Sequence, residues 1–119
     1  MEKPHKKLNV WKSAIELVTL VYLIARLFPD EERYGLSSQM KRAAISVASN
    51  IAEGYGRCSK GEYLQFLGHA RGSNFEVQTQ LVIAEALGLG SVEHRQSVQD
   101  FSEEVSKMLV ALMNKLRTC

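Results

Sequence analysis

Apolar side chains in this chain recur at intervals of three and four residues, and this spacing limits the possible folds more than any other sequence feature. The period matches one face of an α-helix, whereas a half-buried strand would alternate apolar and polar residues. Turn-forming residues interrupt the period three times, at 29–32, 54–56 and 88–90. The sequence therefore predicts an all-α protein with four helices, over 9 to 28, 37 to 54, 60 to 87 and 92 to 117.

Residues at the predicted helix ends are typical of helix caps. Asn9, Ser59 and Ser91 each precede a helical segment, where a short polar side chain can accept a hydrogen bond from a backbone N–H of the first turn. Glu62 follows Ser59 by three residues, as in a capping box. Gly54 is expected to end the second helix in the left-handed conformation that glycine adopts without strain.

Two of the four predicted helices carry more apolar surface than one bundle buries. The second and fourth have a single apolar stripe, whereas the first is apolar around most of its circumference and the third has two apolar faces. Apolar surface of that extent is typical of a partner interface. The sequence therefore predicts one domain over residues 1–119, an antiparallel up-down four-helix bundle that assembles into a homo-oligomer. Gly68 and Gly72, four residues apart, further suggest a close helix crossing.

Positive charge is unevenly placed although the net charge is only +2. Residues 1–8 are expected to form a flexible basic tail, and a second concentration of cations lies between 38 and 75. Such patches attract nucleic-acid phosphates, and the alternative is a solvated surface in which charges pair between helices. The candidate nucleic-acid-binding residues are Lys6, Lys7, Lys12, Lys41, Arg42, Arg57, Lys60 and Arg71. Among them, Arg42, Arg57 and Lys60 are expected around one bundle end and one helix face.

The segment "SVASNIAEGYGR", residues 46–57, concentrates polar side chains at the end of the second helix. Ser49, Asn50, Glu53 and Gly54 are interpreted as a structural polar motif, in which Asn50 on the border of the core bonds a neighbouring helix. The alternative is a small polar platform, with Arg57 beside it, that receives a phosphate or a base edge.

Sites for catalysis, metals or cofactors are not evident. No predicted helix contains the Glu-x-x-His spacing that binds metals in helical bundles: His69 and His94 have no glutamate three residues earlier, and Glu2 and His5, which do have this spacing, precede the first helix. "GYGRCSKG" lacks the Gly-Lys-Ser/Thr of a phosphate-binding loop. We therefore expect no enzymatic activity, no metal and no cofactor. A rival hypothesis is a protein-interaction scaffold that docks a partner through the acidic face of the fourth helix or through apolar helix faces.

Location is inferred from what the sequence lacks. The longest apolar segment, 14–28, contains charged residues and is too short to span a bilayer. No apolar region follows the N-terminal lysines directly, so no signal peptide is predicted. Cys58 and Cys119 are widely separated and are expected to be free thiols in a cytoplasmic protein.

Two long segments resemble the four-helix-bundle proteins encoded within 23S rRNA intervening sequences. They are "LNVWKSAIELVTLVY" and "FPDEERYGLSSQMKRAAISVASNIAEGYGRCSKGEYLQFLGHARGS". The resemblance covers nearly all of residues 8 to 90, and Ala48 stands where the family pattern commonly has proline. It implies an up-down four-helix bundle that forms ring-shaped homopentamers. It also implies a role in nucleic-acid binding, suspected for the family, and no established enzymatic activity.

Overall fold

Four α-helices account for most of residues 8–118, which are the residues that the computed structural model describes. They are α1 (Asn9–Ala25), α2 (Leu36–Tyr55), α3 (Lys60–Ala86) and α4 (Val92–Thr118), with a short 3₁₀ helix at Asp30–Glu32. The described residues contain no strand, and the predicted all-α class with four helices is confirmed. Residues 1–7, most of the predicted basic tail, lie outside the described part of the chain. Leu8, the last residue of that tail, packs against the core.

Helix α1 ends three residues earlier than predicted. Leu27 and Phe28 donate backbone hydrogen bonds three residues back, to Ile24 and Ala25, which tightens the chain into a turn. Pro29 explains the stop, because proline disfavours helical geometry in the residue before it. The start of α1 also differs from expectation. Leu8, not Asn9, occupies the N-cap position, and no side chain caps α1 there.

Caps predicted for the two later helices are present. The Ser59 hydroxyl accepts a hydrogen bond from the Glu62 backbone N–H at 3.1 Å. The Ser91 hydroxyl accepts one from the His94 backbone N–H, also at 3.1 Å. Each bond satisfies one of the backbone donors that a helix leaves unpaired in its first turn.

Each helix packs against two others, in a closed circuit. Helix α1 packs beside α2 and α4, and α3 packs beside the same two, so α1 and α3 lie diagonally across the bundle. The core divides into two clusters of buried side chains. The near cluster, beside the connection 56–59, contains Val10, Ala14, Val47, Ala48, Ile51, Leu67, Ala70, Val105, Leu109 and Met113. The far cluster, at the opposite end, contains Leu17, Val21, Ile24, Phe28, Met40, Ala43, Ala44, Val77, Leu81, Ala84 and Val98.

A buried polar network joins α3 to α4. Asn74 and Ser102 are fully buried. The Asn74 amide donates to the Ser102 carbonyl, and the Ser102 hydroxyl donates to the Asn74 side-chain oxygen, each at 2.8 Å. Gln78 donates to the same hydroxyl at 2.9 Å. Because an unpaired polar group would be costly in this core, the network favours one register between the two helices.

Gly54 lies inside α2 and does not end it, so the prediction of a left-handed glycine stop is wrong. Positive φ angles occur only at Gly88 and Gly90 among the described residues. A Cβ atom at Gly54 would lie 2.9 Å from the Phe66 Cβ and 3.0 Å from the Tyr63 ring. The missing side chain therefore allows α3 to approach α2 closely.

Gly68 and Gly72 of α3 do not lie at a helix crossing within the described chain. A Cβ atom at Gly68 or Gly72 would meet nothing within 4 Å. The predicted close helix crossing at these positions is therefore absent within the described chain, and the outer side of α3 is open there.

Replacing Gly54 with alanine should destabilise the protein, although alanine favours a helix by about 1 kcal/mol. The new methyl group would overlap side chains of α3, and overpacking of this kind typically costs about 1–3 kcal/mol. Urea unfolding of Gly54→Ala should therefore show a lowered midpoint. Gly61→Ala, where the added methyl meets nothing within 4 Å, is the matched control and should unfold at or above the wild-type midpoint. Equal midpoints for both variants would contradict the close contact.

Candidate nucleic-acid interface

Cations concentrate at the end of the bundle beside the near cluster, which we call the basic end. It comprises residues 8–14, 51–65 and 111–118, which flank the near cluster. These residues include only two carboxylates, Glu53 and Glu62. They include five cations: Lys12, Arg57, Lys60, Lys115 and Arg117. Three of these were candidates from sequence, whereas Lys115 and Arg117 were not.

Acidic residues predominate at the opposite end of the bundle, which we call the acidic end. Residues 26–36 and 84–96 carry Arg26, Arg33 and Arg95 against five carboxylates. The longest dimension of the molecule is 45 Å. The described part of the chain is therefore electrically polarised along its length, with the positive side at the basic end.

Arg57 is the best-defined cation of the basic end. Its Nη2 lies 2.9 Å from the Glu53 Oε2, and its guanidinium lies 4.6 Å from the centre of the Phe66 ring. It lines a shallow depression together with Ser49, Ala52, Glu53 and Gly56. Because both charged groups of the pair are exposed, the pair contributes at most about 1 kcal/mol. A phosphate can therefore replace Glu53 as the partner of Arg57 at little cost.

Lys60 begins α3 immediately after Ser59 caps it. The first turn of a helix carries unpaired backbone N–H groups and a partial positive charge, both of which favour an anion. Lys60 is exposed, so its ammonium group adds a full charge to this favourable site.

Lys41, Arg42 and Arg71 lie away from the basic end. Arg42 is thirteen residues before the end of α2, which is about 20 Å along a helix. It lines a separate depression with Gln39, Ala43, Ser46 and Glu76. Of the three cations expected around one bundle end and one helix face, Arg57 and Lys60 lie at the end and Arg42 lies on a face of α2.

Two further candidate cations lie over aromatic rings. The Lys41 ammonium is 4.9 Å from the centre of the Tyr22 ring, and the Arg71 guanidinium is 5.2 Å from that of Phe75. Each ring attracts its cation through its negative face. The remaining sequence candidates, Lys6 and Lys7, lie outside the described residues, although the chain enters α1 at the basic end.

Among the described residues, Asn50 makes hydrogen bonds only within its own helix. Its amide donates to the Ser46 carbonyl at 2.8 Å and to the Ser46 hydroxyl at 2.9 Å. The bond between helices is made one turn earlier, where the Ser73 hydroxyl of α3 donates to the Ser46 hydroxyl at 2.8 Å. The prediction of a direct bond from Asn50 to a neighbouring helix is therefore wrong. Asn50 instead helps to orient Ser46, which makes that bond.

Two tyrosines pack edge to face where α2 meets α3. The rings of Tyr55 and Tyr63 have centres 6.0 Å apart and planes at 84°. Tyr63 is half-buried. Burial, and secondarily the charge that Tyr55 acquires on ionisation, raise the pKa of the Tyr63 hydroxyl above its ordinary value. The neutral form is therefore favoured at this contact.

Neither a metal site nor a membrane-spanning helix occurs among the described residues. No three His, Cys, Asp or Glu side chains between 8 and 118 are grouped as a metal ion would require. None of the four helices, over the same stretch, has both the length and the apolar character needed to cross a bilayer. Cys58 is a free, exposed thiol.

Comparison with known proteins identifies one family and one fold. The sequence profile of a family described as 23S rRNA-intervening sequence protein matches residues 6–111. A crystal structure of a protein of unknown function from the S23 ribosomal protein family of Bacteroides thetaiotaomicron superposes with a TM-score of 0.81. That protein is 20% identical, and the match covers 87% of this chain and 97% of that one. No curated protein matches the sequence significantly.

The raised pKa of Tyr63 predicts a loss of stability at alkaline pH. In the unfolded chain this hydroxyl ionises near pH 10, whereas in the folded protein it stays neutral to a higher pH. Its contribution to stability is therefore complete below about pH 10 and is lost as the pH rises through the raised value. Urea midpoints measured at about pH 9 and about pH 11 should fall less in Tyr63→Phe than in the wild type.

Tyr34→Phe is the matched control, since the Tyr34 side chain is 88% exposed at the acidic end. It should lose stability with pH as the wild type does. Identical pH dependence in all three proteins would show that Tyr63 ionises without cost to the fold.

Proposed function

The chain belongs to the 23S rRNA-intervening sequence protein family, and we propose that it is a non-enzymatic, homo-oligomeric bundle that binds nucleic-acid phosphates through its basic end. The observation that carries this proposal is the separation of charge along the bundle, with five cations and two carboxylates at one end. The proposal includes a cytoplasmic location and requires no metal or cofactor.

Binding through the basic end would act on the nucleic-acid backbone. Lysine and arginine side chains neutralise phosphates and release the counterions condensed on them. Such contacts hold the nucleic acid in position without distinguishing base sequence. Arg57 and Lys60 supply charge beside the α3 N-terminus, and Lys115 and Arg117 supply it from the last turn of α4. Four cations, one in the connection before α3 and three on α3 and α4, thus provide several phosphate contacts within one surface.

An antiparallel up-down arrangement of the helices is part of the proposal. Contacts between α2 and α3 support it, because residues later in α2 contact residues earlier in α3. Gly54 lies against Phe66, and Ser46 bonds Ser73. In that arrangement the starts of α1 and α3 and the ends of α2 and α4 meet at the basic end.

Assembly into a homo-oligomer is supported by large apolar side chains left exposed on α1 and α3. On α1, Ile15 is 37% exposed and Leu23 is 44% exposed, and on α3 Val82 is 66% exposed. The resemblance to the family implies a ring of five copies. Repetition of the basic end in an oligomer would strengthen binding, because each further contact to the same nucleic acid is intramolecular.

Removing three cations from the basic end should weaken RNA binding. The variant is Arg57→Ala, Lys60→Ala, Lys115→Ala, and the probe is a single-stranded RNA of about twenty nucleotides. Filter binding across a salt series should show at least about a tenfold loss of affinity, and the salt slope should shrink by about one unit for each phosphate that the variant no longer neutralises. Duplex DNA of the same sequence, in parallel, measures preference between nucleic acids.

The control carries the same change in net charge at other places. Arg33→Ala, Arg42→Ala, Lys107→Ala removes three cations outside the basic end and should bind RNA within about threefold of the wild type at each salt concentration. Equal weakening in both variants would show that net charge, not the basic end, governs binding. Absence of RNA binding by the wild type at low salt would favour the scaffold hypothesis, with the acidic surface of α4 as the docking face.

A further inference from the structure

We propose that a small cavity beside the acidic end binds a phosphate dianion, either free phosphate or the phosphoryl group of a small molecule. The cavity has a volume of about 180 Å³ and lies where the end of α1, the 3₁₀ helix and the start of α2 meet. We call it the anion cavity. It is lined by Arg26, Asp30, Arg33, Ser37 and Lys41, together with apolar residues between 25 and 29. The site is independent of the nucleic-acid binding proposed for the basic end.

Three cations converge on the anion cavity, which has one carboxylate. Arg26 follows α1, Arg33 follows the 3₁₀ helix and Lys41 lies in the second turn of α2. None of the three forms an ion pair within residues 8–118, and neither does Asp30. The cavity therefore carries an excess of two positive charges, which a dianion neutralises. Since carboxylates outnumber cations at the acidic end as a whole, this excess is specific to the cavity.

Aromatic rings hold two of these cations in place. The Arg33 guanidinium lies 5.7 Å from the centre of the Tyr34 ring, and the Lys41 ammonium lies 4.9 Å from that of Tyr22. A ring face attracts a cation without cancelling its charge. An anion that enters the cavity thus meets cations that are already positioned, and fewer side-chain conformations are lost on binding.

Ser37 supplies a buried hydroxyl that has no partner within the described chain. Its residue is only 6% exposed, and its hydroxyl forms no hydrogen bond with residues 8–118. Among the described residues, the one unpaired side-chain atom sealed inside the protein is the Gln80 Oε1. The Ser37 hydroxyl is therefore not sealed in, and the space that it reaches is the cavity that Ser37 lines. A buried unpaired donor of this kind is costly, and a phosphate oxygen satisfies it.

The start of α2 adds backbone donors next to Ser37. No side chain makes an N-cap hydrogen bond there, and Glu32 accepts only from the Leu36 N–H, at 3.4 Å. Gln39 is the first residue of α2 whose N–H donates to a backbone carbonyl. Within the described chain, the N–H groups of Ser37 and Ser38 thus lack an acceptor. Together with the partial positive charge of a helix start, they favour an anion.

The size of the anion cavity limits what can enter it. Pockets for drug-sized ligands enclose roughly 300–1,000 Å³, and this cavity is smaller. It accommodates a phosphate group, and the remainder of a phosphorylated molecule would lie outside. A phosphate monoester carries close to two negative charges at neutral pH, whereas a diester of the nucleic-acid backbone carries one. The charge of the cavity therefore favours a monoester or free phosphate.

Titration of the full chain with inorganic phosphate tests the site, with chloride added to keep the ionic strength constant. Amide NMR spectra should show saturable shifts at Ser37 and Ser38 by about 10 mM phosphate. Lys41→Gln should weaken the fitted affinity at least about fivefold. Arg42→Gln removes the same charge from the next residue of α2, outside the cavity. It is the matched control and should bind phosphate within about twofold of the wild type.

Ser37→Ala separates a role in binding from a role in the fold. Because the hydroxyl has no partner in the described chain, its removal should leave the urea midpoint without phosphate unchanged or raised. The phosphate affinity should fall about threefold, by the loss of one hydrogen bond. A lowered midpoint with unchanged affinity would show that Ser37 is structural, and would overturn its part in the site.

Two organic phosphates identify the source of the anion. Methyl phosphate that binds as tightly as inorganic phosphate would assign the phosphoryl group of a small molecule, and weaker binding would assign free phosphate. Dimethyl phosphate, with one charge like the nucleic-acid backbone, should bind at least about fivefold more weakly than inorganic phosphate.

Three results would each overturn the proposal. They are the absence of shifts at Ser37 and Ser38, equal affinities in Lys41→Gln and Arg42→Gln, and dimethyl phosphate binding as tightly as inorganic phosphate. None of these measurements involves RNA or the cations of the basic end. Failure of the anion cavity and failure of nucleic-acid binding are therefore separate results.

Discussion

Close contact between α2 and α3 at Gly54 determines how the basic end is built. A side chain at this position would overlap Phe66 and Tyr63, so glycine permits a separation that no other residue allows. The connection from Gly56 to Ser59 is short because the two helices are already adjacent. Arg57 lies within that connection and Lys60 begins the next helix. The close packing at Gly54 therefore determines where both cations lie.

Sequence periodicity predicted the number of helices and the apolar faces, because burial of one helical stripe follows from local spacing. The caps at Ser59 and Ser91 were predictable for the same reason, since donor and acceptor lie three residues apart. Partners on another helix were not predictable. The position of a polar residue on a helix border, such as Asn50, indicates that its side chain needs a hydrogen bond. It does not indicate which atom is the partner.

Three features escaped prediction because they depend on which helices are neighbours. Asn74 and Ser102 are twenty-eight residues apart, and nothing in the spacing of either helix marks them as a pair. Lys115 and Arg117 were not candidates from sequence, because only the fold brings their end of α4 beside Arg57 and Lys60. Gly54 resembled a helix stop, since close packing and chain reversal both favour glycine.

The packing inside the bundle also affects how many copies the proposed assembly contains, because it sets the rotation that relates one copy to the next. In a closed head-to-tail ring, the number of copies equals a full turn divided by the rotation that relates one copy to the next. That rotation is the supplement of the angle between the outward directions of the two faces that touch. Gly54 and the Asn74–Ser102 pair fix how α3 sits against its neighbours, so they also fix this angle. Core substitutions alone would therefore change the size of the proposed ring, without altering a residue at the surfaces that touch.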